Sequence, residues 1–433
     1  MLSSTNKNLI RLFEHDSISC NDDKLKPHPR LFDLINKLNE REGKLLSLNW
    51  NKLCATENVG LIQVKNLSIE ILPKIYKEES NKIEQAQKNL LYLLYYCYDI
   101  PIAESEIALM QKRKSNWFEI LTYIYSKKLQ DLFKKGANKQ YITIEENLPL
   151  LKGKWMIQQH IRINTFQKHL FYVNYDEFSV DIPLNRILRF VTNKLKFQSQ
   201  DLSNRKSLYM LDQWMEEITL ISNASPELKK VIFTRLNENY RPVFNLAILF
   251  IEGHAIEPSV GSSNAFAFTF DMNLLFESFI GKFIKNNRNE ILPEHLKNCN
   301  IHLQANENRL PLAKDSNGKH VFYMKPDIIL KENESFKLII DTKYKLLDNK
   351  EKKLGINSQD MYQMAAYATR YDCPHVILLY PRTAGMDESI LKEYKLEKIN
   401  SKIRIATVDL RVDFAENNNK KELIKELNKI LSE

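Results

Sequence analysis

Between Lys325 and Lys345 the chain reads KPDIILKENESFKLIIDTKYK, two apolar runs that each carry an acid. Asp327 opens the first run, Asp341 closes the second, and Lys343 follows two residues later. On an extended strand, residues two apart point to the same side at roughly 7 Å. Ile339, Asp341 and Lys343 therefore share one face, and Leu338, Ile340 and Thr342 the other. A hairpin turning through residues 331–335 sets Asp327 beside Asp341. Two neighbouring carboxylates repel unless a cation joins them. A hard divalent ion such as Mg²⁺ is held by one or two carboxylates, with water and phosphate oxygens completing its shell. Lys343 then stands beside the ion, placed to orient or deprotonate a water and to stabilise a pentavalent phosphate. Those are the parts of metal-assisted phosphodiester hydrolysis. The plain alternative is a surface hairpin with an incidental ion pair, because D-x-K alone arises by chance in a chain this long.

The flanking elements bear on that choice. In FDMNLLFESFIGKFI the residues Met272, Leu275, Phe276, Phe279, Ile280 and Phe283 form one apolar helical face. Asp271 is placed to cap this helix. Glu277 borders the buried stripe, where it either reaches out to water or points into the metal cleft. Downstream, SQDMYQMAAYATRY sets Gln363 and Tyr367 one helical turn apart on one face. Helix packing and contact with a nucleic-acid phosphate are both open to that pair. HVILLYP then supplies a short buried strand.

These pieces sit in a chain of 433 residues, long enough for two or three domains. Residues 1–165 read as mixed strand and helix. LSIEIL alternates as a half-buried strand, the turn before it falling at Lys65-Asn66, and Gly136 closes a helix. Residues 166–260 read as mainly helical. Gly253 to Asn264, with two glycines, Pro258 and three serines, is a linker, and residues 261–433 follow with the α/β order of an enzyme core. The fold class expected is α+β and multidomain.

The formal net charge is +9, which favours a polyanionic partner. Five scattered cysteines without a C-x-x-C pair suggest neither a disulfide framework nor a zinc site, as in a reducing cytosol. No apolar run spans a bilayer, so a cytoplasmic protein without a membrane partner is expected. None of the ten glycines opens a G-x-x-x-x-G-K-[ST] loop, so the chain itself should bind no nucleotide.

Taken together, P-D, a D-x-K fourteen residues on, Q-x-x-x-Y and an upstream helical Glu resemble the PD-(D/E)xK nuclease core in its RecB-like form. The segments MNLLFESFI, NYRPVFNLAILFIEG, DEFSVDIPLNRILRFV, LSIEILPKI and KKGANKQYITIEENLPLLKGKW are together similar to the McrC family of McrBC-type restriction systems. The similarity spans nearly the whole chain and is strongest from Asp271 to Tyr367.

The resemblance implies a C-terminal PD-(D/E)xK endonuclease domain. Asp327, Asp341 and Glu277 would be metal ligands for Mg²⁺, with Mn²⁺ as a substitute, Lys343 the catalytic lysine, and Gln363 and Tyr367 DNA contacts. It implies a McrB-like AAA+ GTPase hexamer as partner, stimulated by this chain and bound through its N-terminal domain, and methylated DNA as substrate. Lys74, Lys112, Arg113 and Lys114 are candidate partner contacts, although a solvated charge run is the favoured explanation of them. Glu177, Asp181, Asn185 and Arg186 resemble family positions of structural character. A stand-alone RecB-like nuclease and a non-catalytic activator of an AAA+ motor are the competing readings.

Overall fold

The computed structural model describes residues 9–23, 25, 31–42, 45–64, 67–77, 83–101, 116–253, 265–304, 308–347, 351, 353–383, 386, 388–397, 399–414 and 416–432. Lys112, Arg113, Lys114, the Lys65-Asn66 turn and residues 254–264 of the expected linker lie outside them.

The first stretch carries β1 (Leu9–Phe13), β2 (Ser17–Ser19), α1 (Leu31–Glu42), β3 (Leu46–Asn49), β4 (Lys52–Ala55), β5 (Asn58–Val64), β6 (Leu67–Leu72) and α2 (Ile83–Cys97). The middle carries α3 (Trp117–Lys134), β7 (Gln140–Leu148), β8 (Lys154–Trp155), α4 (Ile157–Ile163), β9 (Phe171–Ser179), α5 (Pro183–Gln198), α6 (Leu202–Trp214), α7 (Ser225–Leu228) and α8 (Arg241–Glu252). The last part begins with β10 (Ala265–Asp271), α9 (Met272–Asn286), α10 (Arg288–Ile291), β11 (Asn300–Leu303), β12 (Pro311–Lys314) and β13 (His320–Tyr323). It ends with β14 (Ile328–Glu332), β15 (Ser335–Thr342), α11 (Ser358–Arg370), β16 (His375–Pro381), β17 (Leu391–Lys395), β18 (Lys402–Val408) and α12 (Asn417–Ser432).

The chain forms two units, residues 1–117 with 259–433, and residues 118–258. This grouping differs from the three consecutive segments expected, and β10 is the reason. Its residues, AFAFTFD, pair along β5 in a seven-residue antiparallel register from Ala265↔Val64 to Asp271↔Asn58. The start of the C-terminal part thus completes a sheet of order β1-β6-β5-β10 whose other strands are N-terminal. Gly60 permits the pairing: its φ is +145°, and a Cβ there would meet the Phe268 carbonyl oxygen at 2.2 Å.

The same unit holds a six-stranded sheet of order β11-β14-β15-β16-β18-β17. β15, β16 and β18 are parallel neighbours, and the outer pairs are antiparallel. Such central strands are buried on both faces, hence the continuous apolar runs LIID and VILLY. One face, with Ile329, Ile339, Val376, Leu378, Ile403 and Ile405, packs with Met364, Tyr367 and Ala368 of α11. On the other, Gly281 lets α9 approach Leu303 and Ile328, where even a Cβ would sit 2.9 Å from the Leu303 side chain.

In the other unit, β9 pairs with β7 over nine residues and with β8 at its middle, alongside helices. The β9 strand lies within the stretch expected to be mainly helical. Asp181 accepts two hydrogen bonds from the Arg186 guanidinium and two from Thr219. Asn185, fully buried, donates to the Asn138 and Val180 carbonyls. These family-like positions tie the start of α5 to its neighbours.

Candidate active site

The β14–β15 register, Ile328↔Ile340, sets Asp327 directly across from Asp341. Asp327 is fixed there: its Oδ2 accepts from the Thr342 backbone N–H at 2.7 Å and from Thr342 Oγ1 at 2.8 Å. β15 ends at Thr342, yet Lys343 N still donates to the Leu379 carbonyl at 2.8 Å, so the edge of β16 carries the backbone one residue further. The alternation therefore persists through Lys343, whose Nζ is ion-paired with Asp341 Oδ2. Asp341 is 1% exposed.

Glu277 arrives from α9. Asp271 caps that helix by accepting from Asn273 N at 2.7 Å, and the buried face is the one read from the spacing. Glu277 lies on its margin, with Oε1 buried and without a hydrogen-bond partner. The Gln304 side chain favours the charged form of Glu277 and tempers the rise in its pKa. The Gln304 backbone, at φ +57°, also donates to the Asp327 carbonyl at 2.6 Å. From α11, whose N-terminus is capped by Asn357, Gln363 Nε2 lies 3.5 Å from Asp341 Oδ1 and 2.7 Å from the Tyr367 hydroxyl. The Tyr367 ring is 3% exposed and belongs to the core, so Tyr367 holds Gln363 from behind and offers little ring surface of its own.

All six residues singled out from the sequence thus meet at one end of the six-stranded sheet. Their electrostatics are unbalanced. Burial, then the neighbouring Asp327 carboxylate, pushes Asp341 up to about 7. Glu277 rises to about 7 for the same two causes, in the same order, and burial also raises Asp327. Burial opposes the charge on Lys343, but Asp341 and then Asp327 prevail and hold its pKa above the ordinary lysine value. Three acids face two lysines, Lys343 and Lys325, and two of their oxygens, Asp341 Oδ2 and Glu277 Oε1, are buried without a well-formed hydrogen bond. This donor chemistry suits a hard divalent cation, which would offset the repulsion. Among the described residues no three His, Cys, Asp or Glu side chains converge closely enough to form a metal cage by themselves. A Mg²⁺ site does not need one, since that ion keeps several waters.

Other participants had no sequence signal. Asp360, 7% exposed, is ion-paired with Lys345 at 2.8 Å and reached by the Tyr380 hydroxyl at 3.4 Å. Its charge adds to the rise of Asp341. Glu14 is fully buried, accepts from Lys74 N at 2.9 Å, and is pushed up to about 7 by burial. Lys74 Nζ sits 4.8 Å from the centre of the Tyr344 ring, on the residue after Lys343. The Lys74 side chain is only 11% exposed, so its place is inside the unit and not on a partner surface.

The family model described as "McrBC 5-methylcytosine restriction system component" matches residues 53–381, a range that contains all six residues singled out from the sequence. The chain belongs to that family. Among solved structures, this McrBC-family chain is similar to one in the refined half-complex from the tetradecameric assembly of Thermococcus gammatolerans McrB AAA+ hexamers with bound McrC. The TM-score is 0.67 at 22% identity, over 98% of this chain and 100% of that one, so the mixed α/β fold is shared. The cryo-EM structure of the Thermococcus gammatolerans McrBC complex matches 65% of this chain and 88% of its own, with 26% identity and a TM-score of 0.49. No curated protein sequence matches the chain. Among the described residues no helix is long and apolar enough to cross a membrane.

Proposed function

We propose that this chain is the DNA-cleaving, McrC-type subunit of a McrBC restriction complex, with a PD-(D/E)xK nuclease site built on Asp327, Asp341, Lys343 and Glu277. The observation that carries the reading is the trio of carboxyls, Asp341 buried and Asp327 and Glu277 half-buried, each with its pKa raised, around the ion-paired Lys343 at a strand end. A protein keeps so costly an arrangement where function requires it.

Asp327, Asp341 and Glu277 would hold Mg²⁺ or Mn²⁺, with water and phosphate oxygens completing the shell. Once bound, the ion supplies Lewis acidity toward the phosphate and lowers the pKa of its water. The chain's own side chains do the rest. Thr342 fixes the Asp327 carboxylate with two hydrogen bonds, so one ligand needs no reorganisation. Lys343, released from Asp341, turns its ammonium toward the attacking water and the phosphate oxygens. Gln363, held by the Tyr367 hydroxyl, directs an amide toward Asp341 and the adjoining DNA phosphate.

The partner proposed is a McrB-like AAA+ GTPase hexamer, whose hydrolysis the chain stimulates in the cytoplasm. The support is membership of the McrBC family and the assembly with McrB AAA+ hexamers that the similar solved structure represents. The unit of residues 118–258 adds exposed apolar side chains, Tyr141, Leu150, Leu151, Ile161 and Phe166, of the kind that mark protein contacts. The test combines the chain with its ring partner, GTP, Mg²⁺ and methylated DNA. Lys343→Ala should lower cleavage at least ~100-fold, the scale of removing one electrostatic stabiliser, while stimulation of GTP hydrolysis persists. Cleavage by Lys343→Ala at the wild-type rate sinks the site assignment. Cleavage by the chain alone, without nucleotide, would instead mark a stand-alone nuclease.

A further inference from the structure

Between Asn308 and Lys325 the chain leaves the six-stranded sheet as a two-stranded ribbon, with β12 paired antiparallel to β13. Its stem is tied to the end of α11, the helix that carries Gln363 and Tyr367. Leu310 N donates to the Tyr371 hydroxyl at 3.2 Å, the hydroxyl donates to the Asn308 carbonyl at 2.9 Å, and Arg370 Nε donates to the Pro311 carbonyl at 2.8 Å. Met324 is buried in the same core as Tyr367 and Tyr371. Past the second strand, Met324, Lys325 and Pro326 lead the chain to Asp327.

Beyond the stem the ribbon projects uncovered. Leu312, Phe322 and Tyr323 are 53%, 76% and 58% exposed. Phe322 takes φ +55°, a left-handed conformation that a bulky residue rarely adopts, and this backbone presents its ring to solvent. From Arg309 to Lys325 the sequence carries four cations, Arg309, Lys314, Lys319 and Lys325, and one acid, Asp315. That acid faces its own turn, where Oδ1 accepts from Asn317 N at 2.9 Å and Lys319 N at 2.8 Å. Lys314, Lys319, Phe322 and Tyr323 face outward, so the exposed ribbon is cationic and aromatic, beside the cleft.

We propose that this ribbon is a DNA-binding element that seats duplex DNA next to the catalytic carboxylates. Lys314 and Lys319 meet phosphates, and Phe322 and Tyr323 pack against sugars and bases. A major groove, about 12 Å wide, admits a two-stranded ribbon. Charge complementarity and direct continuity with Asp327 select DNA over an apolar protein partner. The inference rests on the nuclease reading above, which supplies the substrate.

The experiment uses the full chain and a fluorescently labelled duplex in EDTA, where nothing is cut, with binding read by anisotropy across a salt series. Lys314→Ala/Lys319→Ala should bind roughly tenfold more weakly at low salt. Its log–log salt slope should fall by about 2, near 0.9 for each phosphate no longer neutralised. Phe322→Ala should also bind roughly tenfold more weakly, the scale of one apolar ring no longer buried against sugars and base edges, with the slope unchanged. Thermal unfolding of both variants, matched to wild type, shows that the exposed ribbon alone was altered. Wild-type affinity in both variants overturns the proposal, as does a wild-type chain that does not bind duplex DNA. Variants that bind DNA normally but fail to stimulate the ring GTPase make the ribbon a protein contact, which also overturns it. Failure of the nuclease reading shows elsewhere: Lys343→Ala, whose ribbon is intact, would then cleave as wild type does.

Discussion

Asp341→Asn should yield a protein that is inactive yet more stable than wild type. Asp341 is 1% exposed, and its pKa is raised from 3.8 to about 7, by burial first and then by the Asp327 carboxylate. A carboxyl whose folded pKa exceeds its unfolded value binds protons more readily in the native state. Its contribution therefore weakens stability as pH rises from the unfolded value of 3.8 through about 7, and the full cost is present above that. Three units at 1.36 kcal/mol each make that cost on the order of 4 kcal/mol at pH 8 without metal. Asparagine keeps the shape and removes the ionisation, but Lys343 loses its ion-pair partner. A net gain of about 2 kcal/mol follows, or roughly 3 °C in melting temperature for a unit of this size. The assay is thermal unfolding followed by circular dichroism in EDTA at pH 8 and pH 5, with DNA cleavage measured in parallel. At pH 5 the wild-type carboxyl is largely neutral and the difference should shrink toward zero. Glu14, also raised by burial, contributes the same trend to both proteins, so the comparison isolates Asp341. An Asp341→Asn protein that melts below wild type at pH 8 in EDTA refutes the view that this carboxylate is held against its own electrostatics.

Two further substitutions probe the elements that bring the ligands together. Glu277→Gln removes one raised carboxyl without cutting the α9 core, and should raise the Mg²⁺ concentration for half-maximal cleavage by roughly tenfold or more, the scale seen for groups supporting a metal; a Mg²⁺ titration with an unchanged midpoint removes Glu277 from the site. Gly60→Ala forces a Cβ to within 2.2 Å of the Phe268 carbonyl oxygen at φ +145°, and should destabilise the unit by about 3 kcal/mol or more, read as a lowered urea midpoint.

The carboxylates, the lysine and the glutamine were legible because strand and helix periodicities are local. Alternation alone put Asp341 and Lys343 on one face, and helical spacing put Gln363 one turn from Tyr367. Their meeting with Glu277 depends on α9 docking against β15 and the neighbouring strands, which no local pattern encodes. The same limit hid Gln304, whose role comes from a left-handed backbone beside Asp327. It also hid Glu14 and Lys74, which reach Tyr344 only across the folded unit. The expected division of the chain missed β10 for a related reason: AFAFTFD alternates like a strand, but its partner lies about two hundred residues earlier, in β5.

That pairing bears on why a small site sits in a long chain. β10 leads without a break into α9, so the glutamate is aimed by a helix whose first residue is anchored in the β1-β6-β5-β10 sheet. α2, from the N-terminal part, packs along α9, with Lys282 Nζ ion-paired to Asp99 at 2.6 Å. Near the other end of the chain, the Leu410 carbonyl accepts from the Tyr76 hydroxyl at 2.9 Å and from Asn89 Nδ2 at 3.0 Å, and the Val412 carbonyl from Asn89 at 2.7 Å. The N-terminal residues therefore form part of the scaffold of the site itself. Removing them would strip β10 of its partner strands, expose the aromatic face of α9, and free the Glu277 carboxyl. The two sheets of this unit are best understood as one support for Glu277 on one side and Asp327, Asp341 and Lys343 on the other.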